Sequence, residues 1–194
     1  MEPSQTSSLY VGQRELAVVS PDDQIELVGS DSASTCLVVL LRHAASGVVG
    51  LAHLDSPSDE EGLEDNQLGQ LLEATWERLG RQDLELEVSL FGGYNDEAGL
   101  SRRISGMILR TMQTSSSSFI LRHLVCGDTN TTPGLEGPRP AVWGGGTNLG
   151  TGEVFSAEFT RRLPDIDIRS LRLYTTGKQL GRIVSLSLSL SFLT

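Results

Sequence analysis

The stretch CLVVLLRHAASGVVGLAHL, residues 36–54, predicts the centre of the fold. Residues 37–41 form an unbroken apolar run, which is typical of a central strand covered on both faces. Residues 44–47 have turn chemistry, and residues 48–54 predict a returning strand. The stretch therefore predicts a β-hairpin with Cys36 where it begins and His53 near its end.

Cys36 has two interpretations: a small apolar residue packed in the core, or a nucleophile at the mouth of a site. A nucleophilic thiol needs a base within hydrogen-bond reach. His43 is seven residues from Cys36, and this odd separation places it on the other face of the strand, about 23 Å away. His43 is therefore excluded if the strand is continuous, and the sequence does not place His123.

The register of the hairpin decides whether His53 can serve as that base. A four-residue loop pairs His43 with Val48 and puts His53 opposite Val38, on the same face as Cys36 and one diagonal step from it. A two-residue loop puts His53 directly opposite Cys36. The intermediate register puts the two side chains on opposite faces, so the sequence alone leaves the pair open.

The rest of the chain alternates between short strands and two helices. Residues 68–79 have the apolar spacing of one helix face, with Gly80 as the stop, and Asn95 is expected to cap a second helix that reaches Met112. Further strands are expected at 16–19, 25–28, 84–90, 119–126 and in a glycine-rich hairpin over 141–159. The predicted class is α+β, with largely antiparallel β-sheet layers and two helices packed on one face, like an α-β-β sandwich.

Composition excludes several functions. The net charge of −10 opposes binding to nucleic acid, and no apolar run is long enough to predict a membrane span. The two cysteines form no C-x-x-C pair, and the three histidines have no zinc spacing, so no metal is expected. The polar amino terminus lacks the features of a signal peptide, so we expect a soluble protein in a reducing, cytoplasmic compartment.

Four blocks of the sequence carry a family resemblance: LYVGQRELAVVSP, LVGSDSASTCLVVLLRH, GLAHLDS and VSLFGGYNDEAGLS. They resemble the eukaryotic protein N-terminal asparagine amidohydrolase family from about residue 9 to residue 159. The spacing of seventeen residues from Cys36 to His53 is also similar to that of bacterial chemotaxis receptor deamidases. Those enzymes use a thiol, a histidine and a hydroxyl residue six positions before the thiol, a position that Ser30 occupies here.

The resemblance implies hydrolysis of the side-chain amide of an amino-terminal asparagine, which gives aspartate and ammonia without metal or cofactor. Cys36 is then the nucleophile, His53 its base and Ser30 the group that orients the histidine. Backbone N–H groups at Thr35 and Cys36 would hold the oxyanion.

The implied substrates are proteins or peptides with a free amino-terminal asparagine, and they feed the N-degron route to ubiquitin-dependent degradation. Asp31 and Asp55 flank the Cys36 and His53 positions and are candidates to bind the substrate's α-ammonium. Gly92 and Gly93 are expected to allow close backbone passage. A monomer in the cytoplasm, and also in the nucleus, is expected.

The expected organisation is a flexible tail at 1–8, one amidohydrolase domain at 9–170 and an atypical segment at 171–194, truncated or poorly ordered. Family members carry additional sequence on both sides, so we expect an alternative or truncated product. Two other functions remain open: a protein glutamine deamidase, and a non-catalytic interaction protein that keeps the fold. The Ser/Leu alternation at 185–192 is read as an edge strand or as low-complexity sequence.

Overall fold

The computed structural model describes residues 7–57, 66–135 and 137–159, together with the backbone of two strands beyond them. The helices are α1 (Gln67–Leu79) and α2 (Leu100–Thr114). Short 3₁₀ turns occupy Pro21–Asp23 and Gly127–Asn130. The strands, in chain order, are β1 (Ser8–Tyr10), β2 (Leu16–Val19), β3 (Leu27–Ser30), β4 (Leu37–Arg42), β5 (Val49–Leu54), β6 (Glu85–Phe91), β7 (Ser118–Val125), β8 (Thr131–Thr132), β9 (Arg139–Pro140), β10 (Gly145–Asn148), β11 (Val154–Ser156), β12 (Arg172–Thr175) and β13 (Lys178–Arg182).

The apolar strand β4 lies at the centre of a five-stranded sheet with the order β2-β5-β4-β6-β7. All its neighbouring pairs are antiparallel except β6 and β7, which run parallel. Residues 37–41 are fully buried, as the prediction of a strand covered on both faces requires. Burial on both faces removes the need for polar alternation, so this run has none.

A second sheet of four strands, with the order β1-β3-β10-β11, packs on one face of the first. Glycines let the two sheets approach closely. A Cβ on Gly145 would overlap the ring of Phe91, so a side chain at this position would force the sheets apart. The hairpin of β10 and β11 matches the glycine-rich hairpin expected from the sequence.

Side chains of β4 alternate between two apolar clusters. Leu37, Val39 and Leu41 pack with residues of both helices, whereas Val38 and Leu40 face the second sheet. The layers are therefore helices, the five-stranded sheet and the four-stranded sheet. This arrangement confirms the predicted α+β class and the position of both helices on one face.

Helix α1 begins and ends as expected, with Gly80 at φ 70° as its left-handed cap. The prediction that Asn95 caps the second helix is wrong, because α2 begins at Leu100. The Asp96 carboxylate accepts hydrogen bonds from the backbone N–H groups of Leu100 and Ser101, both at 2.9 Å. The acidic residue next to Asn95 therefore satisfies the first turn.

Strand β3 starts two residues later than the expected 25–28. Gln24, at φ 57°, ends the preceding 3₁₀ turn, and Leu27 is the first residue in register with Asn148 of β10. The later start places Ser30 on the end of a strand, where it had been expected in a loop. The position of Ser30 is consequently fixed by the second sheet.

Residues 1–160 and 161–194 form separate units. In the second unit β12 and β13 form an antiparallel pair. The predicted tail at 1–8 and atypical segment at 171–194 stay predictions, since most of both, including residues 185–192, lie outside the described residues. Within the described part of the chain, no helix combines the length and apolar character needed to cross a membrane.

Candidate active site

Cys36 precedes β4 and lies, half-buried, on the side of the central sheet that faces the second sheet. Backbone bonds fix the loop before it. Ala33 donates its N–H to the Trp143 carbonyl at 2.7 Å, and the Ser101 hydroxyl donates to the Thr35 carbonyl at 3.1 Å. The loop before Cys36 is therefore held by the segment that leads into β10 and by the start of α2.

Gly92 and Gly93 follow β6 and pass directly beneath this loop. Gly92 has φ 83°, and a Cβ there would come within 2.8 Å of the Ala33 carbonyl oxygen and 2.9 Å of the Cys36 carbonyl oxygen. The buried Asn130 amide donates to the Gly93 carbonyl at 2.9 Å. The glycine pair thus allows the close backbone passage that the sequence indicated.

The hairpin register places His53 opposite Val38, as expected from the four-residue loop. The turn closes with a bond from the His43 N–H to the Val48 carbonyl at 2.9 Å. His53 therefore lies on the same face as Cys36 and one diagonal step from it. It is 2 % exposed, and its Nδ1 is hydrogen-bonded to the hydroxyl of Ser30 at 2.8 Å.

This bond joins the two sheets, because Ser30 comes from β3 and His53 from β5. It fixes the orientation of the ring by engaging Nδ1. The other two histidines have different contacts. His43 Nδ1 is hydrogen-bonded to Ser46 at 2.8 Å, and His123 Nδ1 to Ser89 at 3.0 Å.

The surroundings of Cys36 favour a neutral thiol. Burial, and then the negative charge of Asp55, raise the pKa of the Cys36 thiol to about 11, although hydrogen bonds from the Thr35 side chain and the Cys36 backbone act in the opposite direction. At neutral pH the thiol is therefore protonated in the free protein. A base must remove its proton before it can attack a substrate.

Asp55 lies beside Cys36 at the end of β5. It contacts the loop between β1 and β2, which was not predicted from the sequence to form part of the site. Gln13 donates from Nε2 to Asp55 Oδ2 at 3.0 Å, and Arg14 Nε lies 3.7 Å from Asp55 Oδ1. Gln13 Nε2 also approaches Cys36 Sγ at 4.0 Å. The sequence signal for Gln13 was its place inside the first of the resembling blocks.

Asp31 has a different environment from Asp55. It is 3 % exposed, and its Oδ1 accepts hydrogen bonds from the Tyr10 hydroxyl at 3.0 Å and the Ser32 hydroxyl at 3.1 Å. Its Oδ2 accepts from the backbone N–H of Phe159 at 2.7 Å. These bonds make Asp31 a crosslink between distant segments, and its role in binding an α-ammonium stays a prediction.

No group of three or more histidine, cysteine or acidic side chains is arranged to hold a metal ion in the described ranges. The side chains near the thiol are an imidazole, hydroxyls, an amide and a carboxylate. Such groups can transfer protons, donate hydrogen bonds and bind a cation. The described domain is thus an α-β-β sandwich with a thiol, an imidazole and a hydroxyl between its sheets.

Comparison with known proteins gives the family. The model of the family described as protein N-terminal asparagine amidohydrolase matches residues 1–189, so the chain belongs to that family. It is 33 % identical over 176 residues to the proteins of that name from pig and human, which covers 89 % of this chain and 55 % of each relative. The protein of that name from Arabidopsis thaliana is 29 % identical over 182 residues, covering 85 % of this chain and 50 % of the relative. The chain therefore spans about half the length of the curated relatives it matches.

Proposed function

We propose that the chain hydrolyses the side-chain amide of an amino-terminal asparagine in proteins and peptides, giving aspartate and ammonia. Family membership supports the substrate class. The observation that carries the proposal is the placement of Cys36 and His53 on one face of the sheet, with Ser30 2.8 Å from the imidazole. That arrangement has the parts of an activated cysteine nucleophile.

In the proposed reaction, His53 takes the proton of the Cys36 thiol on Nε2. The thiolate then attacks the carboxamide carbon, and the electron pair of the C=O bond moves to oxygen. When this pair returns, the C–N bond breaks, and the imidazolium gives its proton to the leaving ammonia. His53 next removes a proton from water, which attacks the thioester carbon. The C–S bond then breaks, the aspartate is released, and the imidazolium returns its proton to the Cys36 thiolate.

Ser30 is a positioning residue in this scheme. Its hydroxyl fixes the imidazole through Nδ1, so the ring is held in one orientation. A histidine held in one orientation can exchange protons through the same ring nitrogen in both halves of the reaction. The buried position of Ser30 at the end of β3 gives it the required rigidity.

Asp55 is the better candidate to bind the α-ammonium. Its carboxylate is close enough to the thiol to raise the pKa of Cys36, so a cation bound there lies beside the reacting centre. It accepts hydrogen bonds from Gln13 and from the Ser56 hydroxyl, and the Arg14 guanidinium lies further away at 3.7 Å. The Asp31 carboxylate, by contrast, is buried and holds the backbone of residue 159.

A peptide assay tests the proposal. We expect the purified 194-residue chain to release ammonia from an Asn-initiated peptide, with the amide-to-acid mass change, and to leave the acetylated peptide unchanged. Turnover of an internal glutamine with no need for a free amine would identify a protein glutamine deamidase instead. A folded chain that is inert on every amide would favour a non-catalytic interaction protein.

Asp55→Asn is expected to reduce kcat/KM for the free-amine peptide by about 10–100-fold, because it removes a charge-assisted hydrogen bond worth roughly 1.5–3 kcal/mol. Without the negative neighbour, the pKa of the Cys36 thiol should fall, so iodoacetamide should react with it at lower pH than in the wild type. Asp83→Asn changes the net charge equally at a side chain that is 84 % exposed. Equal losses in the two variants would contradict a specific role for Asp55.

In the cell, the product aspartate would enter the N-degron route, in which it is arginylated and the protein ubiquitinated. The proposed partners are therefore proteins with a free amino-terminal asparagine. The proposed setting is the cytoplasm and the nucleus, with the chain acting as a monomer. Accumulation of an Asn-initiated reporter protein in cells that lack this chain would support the proposed degradation route.

A further inference from the structure

Gln13 lies on a loop that is fixed to the backbone of His53. The loop joins β1 to β2, and Arg14 within it has a left-handed conformation at φ 65°. The Arg14 N–H donates to the His53 carbonyl at 3.0 Å, and the His53 N–H donates to the Glu15 carbonyl at 3.1 Å. The loop therefore keeps a fixed position relative to the proposed base.

The orientation of the Gln13 amide is set by Asp55. A carboxylate only accepts hydrogen bonds, so the group that faces Asp55 Oδ2 at 3.0 Å must be the NH₂ and not the amide oxygen. This nitrogen carries a second N–H. The same nitrogen lies 4.0 Å from Cys36 Sγ, so the amide presents a donor, and not an acceptor, to the side of the thiol.

The separation of 4.0 Å between Gln13 Nε2 and Cys36 Sγ suits a hydrogen bond to the oxyanion that forms during the reaction. When the thiolate adds to a carboxamide, the new oxyanion is attached to the carbon bonded to sulfur, two bonds from Sγ. A donor that is hydrogen-bonded to that oxygen therefore lies further from Sγ than the length of an ordinary hydrogen bond. A donor at this distance therefore fits the oxyanion better than it fits the sulfur.

Other donors approach the thiol from a different segment. The Thr35 side chain and the Cys36 backbone N–H are both hydrogen-bonded to the thiol. They belong to the loop before β4, whereas Gln13 belongs to the loop before β2. An oxyanion formed at Cys36 would thus be bound by donors from two separate segments, which is the arrangement that stabilises developing charge without reorganisation.

We propose that Gln13 is a further catalytic residue, whose side-chain N–H stabilises the oxyanion formed at Cys36 during amide hydrolysis. This inference rests on the proposed function and deepens it. As the S–C bond forms, the electron pair of the C=O bond moves to oxygen, and Gln13 donates a hydrogen bond to this oxyanion. The hydrogen bond lasts until the pair returns to the C=O bond and the C–N bond breaks. The same donor acts again when water adds to the thioester.

A purely structural role would have a different kinetic signature. If Gln13 only holds Asp55, its loss disturbs the binding of the α-ammonium and raises KM. If it stabilises the oxyanion, its loss lowers kcat and leaves KM unchanged. The two roles are therefore separable in one kinetic experiment.

We expect Gln13→Ala to reduce kcat for the Asn-initiated peptide by about 10²-fold with KM unchanged. The rate of Cys36 alkylation by iodoacetamide should stay at the wild-type value, because the thiol and its base are intact. Gln13→Glu should lose more, since it replaces the donor by a negative charge next to Asp55. Gln113→Ala, on the exposed face of α2, is the matched control and should behave as the wild type.

Three results would overturn the inference: an unchanged kcat, a raised KM at constant kcat, or an alkylation rate that falls in parallel with kcat. A wild-type chain that is inert on amides would defeat the proposed function, and a peptide aldehyde then tests Gln13 separately. The aldehyde replaces the side-chain carboxamide and forms a hemithioacetal with Cys36, whose oxygen takes the oxyanion position. Weaker binding to Gln13→Ala supports the inference, and equal binding overturns it.

Discussion

Cys36→Ala is expected to abolish amide hydrolysis, with a loss of about 10⁴-fold or more relative to the wild type. The variant removes the sulfur that forms the covalent intermediate, and no other described side chain replaces it at the entrance to β4. Cys36→Ser should be equally inactive, because a hydroxyl is far less acidic than a thiol. Ammonia release and a thermal unfolding curve, measured together, separate loss of chemistry from loss of fold.

The second cysteine provides the control. Cys126 is half-buried and packs on the helix side of the central sheet, away from the proposed site. Cys126→Ala should therefore retain turnover. If both cysteine variants lost activity to the same extent with intact folding curves, the assignment of Cys36 as nucleophile would be wrong.

The pH dependence of Cys36 alkylation follows from its environment. Burial and the charge of Asp55 raise the pKa of the thiol to about 11, so the reactive thiolate is scarce at neutral pH and increases as the pH rises. The alkylation rate of the free protein should thus climb through the alkaline range, with a midpoint above that of an ordinary cysteine. A plateau already reached at neutral pH would indicate a preformed thiolate–imidazolium pair, contrary to this expectation.

His53→Gln is expected to reduce kcat by about 10²–10⁴-fold, because the base and the later acid of the reaction are the same imidazole. Glutamine keeps polar atoms near Ser30 but cannot exchange a proton at neutral pH. Single-turnover measurements should show that thioester formation, as well as its hydrolysis, becomes slow. Substrate binding, measured on the inactive Cys36→Ala background, should be unaffected.

His43→Gln is the matched control for this variant, since His43 lies in the hairpin turn and contacts Ser46. It should keep full activity. Ser30→Ala should give an intermediate loss, about tenfold, because the imidazole is still present but less firmly oriented. Equal activity of His53→Gln and the wild type would exclude the imidazole from the chemistry.

Local patterns were sufficient to predict the centre of this fold. An apolar run, a turn at residues 44–47 and a returning strand predict the hairpin but leave its register open, because β5 is buried on both faces and its pattern does not distinguish one register from the next. The observed turn, which pairs His43 with Val48, selects the register that puts His53 opposite Val38. The relation between Cys36 and His53 follows from that register. Cys36 directly precedes β4 and His53 lies in β5, so their relative placement depends on the turn between these two strands.

The surroundings of the thiol could not be predicted in the same way. Gln13 and Asp55 are 42 residues apart, and their contact depends on how the loop before β2 folds over the end of β5. The start of α2 was misplaced because Gly99, in a left-handed conformation at φ 66°, holds the N-cap position, and Asp96 reaches the first turn from three residues before it.

The bond between Asp31 and the backbone of Phe159 has a consequence for biosynthesis. The two residues are 128 positions apart in the chain, so Asp31 lacks this hydrogen bond until residue 159 has been translated. At about 5–20 residues per second, the delay is roughly 6–26 s. A ribosome-bound chain thus carries Cys36 before Asp31 can bond to residue 159, and we expect competence for the proposed reaction to be acquired only late in translation.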